Sequence, residues 1–113
     1  ELFASPIAVL AHDHRADPLM TYVNSTALRI WGHSWNTMVG MPSRLTAEES
    51  EQRERANALQ QAHQSAGFQG YSGIRINQEG RRFMIHNARI WPLWDDNNEA
   101  CGQAAAFSNW WWI

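Results

Sequence analysis

Two short apolar segments stand near the start of the chain, each followed by polar residues. Residues 7–12 are apolar up to a closing histidine, and the polar cluster Asp13-His14-Arg15 behind them is typical of a turn. Residues 19–23 form the second segment, which Asp17-Pro18 introduces. Strands this close in sequence usually pair with each other, so the pattern predicts a β-hairpin.

Helical spacing replaces the strand pattern after the hairpin. Asn24 and Ser25 are both suitable caps for a short helix that Gly32 ends. Ser34 can cap a further single turn, with Gly40 at the position of a left-handed C-cap. The pattern therefore predicts two short helices in succession.

The longest helix is predicted to begin at Thr46-Ala47-Glu48-Glu49, which matches a capping box. Its apolar positions make a narrow stripe: Ala56, Leu59, Ala62 and Ala66. Acid-first pairs at i,i+4 join Glu49 to Arg53 and Glu51 to Arg55. Mixed charges at this spacing are normal on an exposed helix, so this face is predicted to be solvated.

Extended patterns return after the long helix. Three strands are predicted, at residues 68–77, 81–93 and 103–112, with turns at Gln78-Glu79-Gly80 and Asp95-Asp96-Asn97-Asn98. The helices thus lie in the middle of the sequence, between two groups of strands. This order predicts an α+β fold in which one antiparallel sheet carries helices on one face.

Composition fits a single domain and disfavours several partners. A chain of 113 residues with 44% hydrophobic residues can form one core, and a net charge of -2 disfavours nucleic acid and anionic membranes. Residues 7–11 are far short of the roughly 20 residues of a membrane span. Cys101 is the one cysteine, so it cannot close an intrachain disulfide. We expect one cytoplasmic domain over residues 1–113, trimmed of an N-terminal helical segment because it opens on Glu1.

The chain contains nine arginines and no lysine. A Schiff-base lysine and a P-loop lysine are therefore excluded. His12 and His14 are candidate general bases, but no nucleophile pairs with them at a recognisable spacing. We expect that the protein is not an enzyme.

Several separated motifs, in order, resemble the MEKHLA branch of the PAS superfamily. The front half resembles a PAS domain in Asp17-Pro18, Tyr22-Val23-Asn24, Trp31 and Ser34-Trp35. The closer likeness to MEKHLA domains lies in Asn24-Ser25-Thr26-Ala27-Leu28, Pro42-Ser43-Arg44-Leu45-Thr46-Ala47-Glu48, Gly73-Ile74-Arg75-Ile76, Gly80-Arg81-Arg82-Phe83, Ala88, Trp91 and Gly102-Gln103-Ala104-Ala105. The resemblance runs from about residue 6 to residue 110.

The resemblance implies a PAS fold, a five-stranded antiparallel sheet in the order 2-1-5-4-3 whose helices enclose a small internal pocket. MEKHLA domains occur alone in bacteria and cyanobacteria, and at the C-terminus of plant class III homeodomain-leucine-zipper proteins, where a sensory or regulatory role is proposed. PAS domains bind haem, flavins, chromophores, small acids or no ligand, and many dimerise. The fold therefore does not determine the function.

Polar residues on the inner surfaces of such a fold are candidates to hold a ligand, because a buried polar group without a partner costs about 1–3 kcal/mol. Arg44 and Arg75 can each hold a carboxylate in a bidentate pair. As alternatives, Asn24 is a helix cap, Arg44 bonds backbone carbonyls and Arg75 lies on the outer face. The predicted ligand-binding residues are Tyr22, Asn24, Trp31, Trp35, Arg44, Arg75, Asn87, Trp91 and Gln103.

Strand alternation decides which part of the fourth strand faces the pocket. It places one set of residues on a common side: Phe83, Ile85, Asn87, Arg89, Trp91 and Leu93. A bulge anywhere among them would reverse the choice between His86 and Asn87.

Three cofactor chemistries each have a simpler alternative in this sequence. His12 and His14 would share a side of a continuing strand, as a pair of metal ligands requires, but a solvated hairpin explains them too and no third ligand is identified. His63, on the long helix, is either an axial haem ligand or a solvated residue. A flavin-reactive thiol would be expected near Ser43, whereas Cys101 lies beyond the last turn. No metal is predicted, and the cofactor is left open.

Two functional hypotheses follow. In the first, the chain is a small-molecule-sensing or regulatory PAS module that binds a small acidic or aromatic molecule and signals through its sheet face. In the second, it is a ligand-free protein-interaction module with a filled core that dimerises through that face. Both expect a homodimer or another partner to cover the outer sheet face, where Trp94 and Trp110-Trp111-Trp112 are predicted.

Overall fold

A computed structural model describes residues 1–64 and 67–113, apart from the side chains at positions 49, 50, 61–64 and 68. The chain starts with a β-hairpin, continues through helices and ends in long strands. In order, the elements are β1 (Ala8–Asp13), β2 (Met20–Val23), α1 (Ser25–Trp31), α2 (Trp35–Met38), a 3₁₀ helix (Ser43–Thr46), α3 (Glu49–Gln64), β3 (Phe68–Ile76), β4 (Arg82–Trp94), β5 (Ala100–Phe107) and β6 (Asn109–Trp112).

The strands form one antiparallel sheet in the order β2-β1-β5-β4-β3, with β6 also paired to β4. The predicted α+β class and strand order are confirmed. The single strand predicted at residues 103–112 is wrong in its bounds, because pairing begins at Ala100 and breaks at Ser108. The two strands that result, β5 and β6, keep one register along β4, since Arg89 lies opposite Ala106 and His86 lies opposite Asn109.

A bulge in β4 decides which of its residues face the interior. Asn87 has a φ of 57°, in the left-handed region, and the β3–β4 register shifts beside it. The buried positions change from odd to even there: Phe83 and Ile85 precede it, whereas Ala88, Ile90 and Pro92 follow it. The predicted inner face is therefore wrong from Asn87 onward, because the extra residue turns Arg89 and Trp91 outward.

The two short helices follow their local signals. The side chain of Asn24 caps α1, and Gly32 ends that helix with a φ of 75°. Ser34 caps α2 as predicted. Its C-cap is Val39 in extended conformation, and the positive φ of 95° falls one residue later, at Gly40.

The capping box predicted for the long helix is wrong. Thr46 lies in the 3₁₀ helix, where its hydroxyl donates to the Ser43 carbonyl at 2.7 Å. Ala47 is extended, so α3 begins only at Glu49. Thr46 therefore lies three residues before the first residue of α3, too early to be its N-cap.

The inward face of α3 is rotated by one residue from the predicted stripe. Arg55 and Ala58 are buried and Leu59 is half-buried, whereas Ala56 is exposed. These inward positions are still spaced as one helical face. Of the rest of the predicted stripe, the side chain at 62 and residue 66 lie outside the described part of the chain.

Aromatic rings fill most of the interior between the helices and the sheet. Trp31 is 2% exposed, and its ring meets those of Phe83 and Phe107 edge to face at 5.1 and 6.0 Å. Trp110 and Trp112 also pack against Phe83, at 5.9 and 5.7 Å. Of the terminal tryptophans that were predicted on the outer face, these two therefore contact the core and Trp111 is the exposed one.

Replacement of Asn24 by alanine is expected to lower the free energy of unfolding by about 2–4 kcal/mol. Its Oδ1 accepts from the backbone N–H groups of Val9 and Ala27, and its Nδ2 donates to the carbonyls of Leu2 and Ile7. Urea unfolding measures the loss. The matched control is alanine at Asn36, which is exposed; equal stabilities of the two variants would contradict this assignment.

Candidate ligand-binding site

A small cavity lies between the inner face of the sheet and α3. Its volume is about 40 Å³, room for roughly three water molecules. Apolar residues make much of its wall, among them Trp31, Ile85, Ile90 and Phe107. Its polar groups come from different elements: His12, Thr46, Arg55, Tyr71, Arg75 and Gln103.

Arg55 reaches the cavity from α3. It shares a helical face with Ala58 and Leu59, which directs it inward, and it is 8% exposed. Its Nη2 donates to the Ser43 hydroxyl oxygen at 2.7 Å, so the predicted pairing with Glu51 is replaced by a contact to the 3₁₀ helix. Burial, and then the charge of Arg75, lower the pKa of Arg55 to about 10.

Arg75 enters the same cavity from β3 and is 6% exposed. It donates to the Ile74 carbonyl at 2.9 Å and to the Tyr71 hydroxyl at 3.0 Å. That hydroxyl in turn donates to Glu54 at 2.8 Å. The alternative that placed Arg75 on the outer face is therefore wrong, and the described hydrogen bonds link its guanidinium to Glu54 through the Tyr71 hydroxyl.

A glycine makes the contact between Tyr71 and Arg75 possible. Gly73 lies between them on β3, and a Cβ there would collide with the Tyr71 hydroxyl. The tyrosine can therefore fold along its own strand and reach the arginine four residues on. Burial raises the pKa of Tyr71, so the phenol stays protonated as a donor.

His12 lines the cavity from β1. Its Nδ1 lies 2.8 Å from the Asp13 carbonyl, which can only accept, so Nδ1 carries the proton. Its Nε2 is buried and has no hydrogen-bond partner among the described residues. Burial, more than the nearby charge of Arg55, lowers the pKa of His12, so the ring is neutral at pH 7.

The cavity carries positive charge without a matching acid. Among the described residues, no carboxylate lies within 4.0 Å of the guanidinium nitrogens of Arg55 or Arg75. The ion pairs found among the described residues involve other arginines: Arg15 with Asp13, Arg44 with Asp17, and Arg82 with Glu48. Two buried cations that share one apolar space favour an anion between them.

An open cleft of about 310 Å³ lies beside the cavity. The two spaces share part of their lining: His12, Arg55, Leu59 and Gln103. The Gln103 side chain donates to the Leu59 carbonyl at 2.7 Å and so joins β5 to α3 at this wall. A ligand that enters from the cleft would have to pass these side chains.

Of the predicted ligand-binding residues, Trp31, Arg75 and Gln103 line the cavity. Asn24 does not, because it is fully buried as the cap of α1. Arg44 is exposed, and its Nε contacts Asp17 at 3.2 Å, so neither the clamp nor the bonds to backbone carbonyls are found.

The other four predicted residues lie on two surfaces away from the cavity. Tyr22 and Trp35 pack edge to face at 5.8 Å, beside Phe3. Asn87 is exposed at the bulge of β4, and Trp91 lies beyond it on the outward side. Their distance from the cavity follows from the rotation of β4 and from the position of β2 at the edge of the sheet.

Sequence reasoning missed Arg55 and Tyr71 and considered His12 only as a metal ligand or a base. The spacing of Arg55 from Ala58 and Leu59, at i+3 and i+4, was a usable signal of an inward arginine. For Tyr71, the alternation with Gly73 and Arg75 was the available signal, because these residues share one face of β3.

Within the described ranges, the cavity between the sheet and α3 is too small to hold a flavin or a haem as it stands. The cavity of about 40 Å³ is far smaller than the ~300–1,000 Å³ typical of such pockets. Cys101 is exposed, and Ser43 is fully buried as a hydrogen-bond acceptor from Arg55. The side chain of His63 lies outside the described residues.

His12 and His14 do not form the predicted pair on one side of a strand. β1 ends at Asp13, so His14 is exposed in the turn while His12 is buried. Within residues 1–64 and 67–113, no group of three histidine, cysteine or acidic side chains could hold a metal.

Comparison with solved structures identifies the fold. The PAS domain of a protein from Colwellia psychrerythraea matches with a TM-score of 0.81 at 13% identity, over 92% of this chain and 86% of that one. An RNA-binding light-oxygen-voltage receptor matches at 0.76 and 16%, over 92% and 30%. The light-oxygen-voltage protein of Rhodobacter sphaeroides matches at 0.73 and 13%, over 97% and 61%. The chain is thus a domain of the PAS fold.

A family model places the chain in one family among the proteins that share the PAS fold. The model of the MEKHLA domain matches residues 1–112, so the chain belongs to the MEKHLA domain family, as its motifs predicted. A search of curated proteins finds no match. Among the helices of the described ranges, none combines the length and the apolar character that a membrane-spanning helix requires.

Acidification below about pH 6.5 is expected to destabilise the protein through His12. Its pKa is lowered from 6.5 in the folded state, so just below that value the unfolded chain binds more protons. The contribution of His12 is therefore complete above pH 6.5 and is lost as the pH falls towards the lowered value, by at most about 1.4 kcal/mol per pH unit.

Urea unfolding at about pH 7.5, 6.5 and 5.5 measures this loss. The variant His12→Gln should lose less stability over the range than the unmodified protein. The variant His14→Gln, at an exposed site, should keep most of the loss, because His14 is the smallest of the influences on the pKa of His12. The assignment fails if it is His14→Gln that flattens the pH dependence.

Proposed function

We propose that this chain is a regulatory PAS module that binds a small anion between Arg55 and Arg75, and that it is not an enzyme. The observation that carries the proposal is the burial of both guanidinium groups against one cavity, with no carboxylate within ion-pair distance of either in the described ranges. A buried charge without a counterion is costly. An anion in the cavity would remove that cost for both groups at once.

Donors on both arginines remain to hold such an anion. A guanidinium has five N–H groups. The hydrogen bonds described above engage one nitrogen of Arg55 and two of Arg75. Carboxylates match this planar set of donors because they accept two parallel hydrogen bonds.

The size of the cavity limits the ligand. A volume of about 40 Å³ holds roughly three waters, which corresponds to an anion of three or four heavy atoms. Formate, acetate, nitrate and bicarbonate meet this limit. A larger acid would require Leu59 and Gln103 to move apart towards the cleft.

A binding role agrees better with the hydroxyl groups near the cavity than a catalytic one. The Tyr71 hydroxyl donates to Glu54, the Thr46 hydroxyl donates to Ser43, and the Ser43 hydroxyl oxygen accepts from Arg55. Each is engaged in a contact that stabilises the fold. None of them contacts the one histidine of the cavity, as an activated nucleophile would.

The elements around the cavity offer a route to the outer sheet face. Arg55 lies on α3, whereas His12, Arg75 and Gln103 lie on three different strands, so an anion would bind helix and sheet together. The opposite face of the sheet exposes an aromatic ring at Trp111, which is 50% exposed and lies opposite Met84 of β4. We assign the response to occupancy to this surface and expect a partner or a second copy there.

A filled-core interaction module is the second candidate. It is favoured by the small volume of the cavity, about 40 Å³, and by the rings of Trp31, Phe83 and Phe107 that occupy most of the interior. In that case the two arginines serve only to join α3 and β3 to their neighbours. The protein would then associate through its outer face with no response to anions.

Small anions are expected to stabilise the protein and to shift the indole N–H resonance of Trp31, which lines the cavity. At a hundred times the dissociation constant the gain is about 2.7 kcal/mol. Thermal unfolding and NMR titration with formate, acetate and nitrate, at constant ionic strength against chloride, measure both effects.

The variant Arg75→Met should abolish both effects, whereas Arg89→Met, at an exposed site, should retain them. Sedimentation of the same samples reports association. The absence of any anion effect that depends on Arg75 would overturn the proposal. If the unmodified protein shows no such anion effect and dimerises, the filled-core candidate stands instead.

Replacement of Arg55 by methionine is expected to weaken anion binding without destabilising the anion-free protein. Methionine occupies a similar length without charge, so the anion-free protein should be as stable as the unmodified one or more so. The lost bond to Ser43 offsets this by about 1 kcal/mol. Urea unfolding with and without formate measures both properties, and Arg53→Met, exposed on the same helix, is the control.

The opposite result would identify a structural role. A loss of more than about 3 kcal/mol in the anion-free Arg55→Met protein, with formate stabilisation retained, would mean that Arg55 joins α3 to the 3₁₀ helix and holds no ligand.

A further inference from the structure

His12 adds to the cavity a hydrogen-bonding requirement that the arginines do not supply. Its ring is 7% exposed, and its Nδ1–H is fixed on the Asp13 carbonyl. The other nitrogen, Nε2, is therefore a lone-pair acceptor, and within the described ranges it has no partner. A buried acceptor of this kind is costly unless something donates to it.

The surroundings of His12 keep Nε2 unprotonated. Arg55 faces it from α3 and repels a second positive charge. The Asp13 carboxylate accepts from the Leu19 N–H and pairs with Arg15 at 2.8 Å, and Gln103 directs its amide nitrogen to Leu59. His14, next along the chain, also disfavours a proton on His12.

A simple anion satisfies the arginines but leaves the histidine unmatched. Formate, acetate and nitrate present only acceptors, so their oxygens would repel the lone pair on Nε2. An anion with a hydroxyl group can accept from Arg55 and Arg75 and donate to His12 at the same time. Such a ligand pairs the polar groups of all three residues within one molecule.

We infer that the ligand of this cavity is a compact carboxylate that carries its own hydroxyl donor, for which bicarbonate is the smallest example. The inference rests on the proposed function and specifies its ligand class. Bicarbonate has four heavy atoms, two oxygens that share the charge and one hydroxyl, which suits a cavity of about 40 Å³. Glycolate has the same groups with one further atom.

Nitrate and bicarbonate form a matched pair for the test, because both are planar anions of four heavy atoms and only bicarbonate carries a hydroxyl. Dissociation constants are measured at about pH 8 by titration of the Trp31 indole N–H resonance. We expect bicarbonate to bind at least about fivefold more tightly than nitrate, since a lost hydrogen bond to a buried group costs about 1 kcal/mol or more. Glycolate against acetate repeats the comparison with a larger ligand.

Substitution of His12 identifies the acceptor. In His12→Leu the preference for bicarbonate over nitrate should disappear, whereas His14→Gln should keep it. The ¹⁵N resonance of Nε2 in the unmodified protein provides a second readout if His12→Leu does not fold. That resonance should move on addition of bicarbonate and stay in place with nitrate.

The possible failures are distinguishable. Equal affinity for nitrate and bicarbonate, with both lost in Arg75→Met, would overturn this inference and leave the anion site standing. A bicarbonate preference that survives in His12→Leu would overturn it as well. If none of the four anions binds, the proposed function fails, and the inference fails with it.

Discussion

The burial of two guanidinium groups against one small cavity is the constraint on which the interior of this domain depends. Neither Arg55 nor Arg75 could remain there without hydrogen bonds, because desolvation of a charge costs more than packing returns. The contacts that compensate join separate parts of the chain. Arg55 holds α3 to Ser43 of the 3₁₀ helix, and Arg75 meets Tyr71, whose hydroxyl returns to α3 at Glu54. The helical layer is thus fixed to the sheet through the same groups that face the cavity.

The bulge at Asn87 has an equally wide effect through geometry alone. Its left-handed conformation exchanges the faces of β4, so Ala88 and Ile90 complete the cavity wall while Trp91 is turned outward. The same strand therefore supplies aliphatic residues to the interior and Trp91 to the outward side. Without the extra residue, strand alternation would turn Trp91 inward and Ile90 outward.

Features that a few neighbouring residues determine were predicted correctly from the sequence, whereas features that depend on contacts between distant residues were not. The caps at Asn24 and Ser34, the end of α1 at Gly32 and the hairpin turns are set by a few neighbouring residues, and all were predicted. The strand order came from family motifs and is confirmed. The bulge, the late start of α3 and the inward turn of Arg55 depend on contacts across the fold, so local patterns gave the wrong answer. For the same reason, six of the nine predicted site residues do not line the cavity. The three that do are Trp31, Arg75 and Gln103.

The fold therefore says less about the ligand than the few polar groups inside it. The light-oxygen-voltage proteins share this fold at 13–16% identity, whereas the cavity described here has a volume of about 40 Å³ and no thiol among its described lining residues. What distinguishes this MEKHLA domain is an aromatic interior that leaves a small space, and a set of buried donors around one buried acceptor. Because the aromatic rings limit the size of a ligand and the polar groups fix its hydrogen-bonding pattern, the two features together select a narrower class of molecule than either could alone.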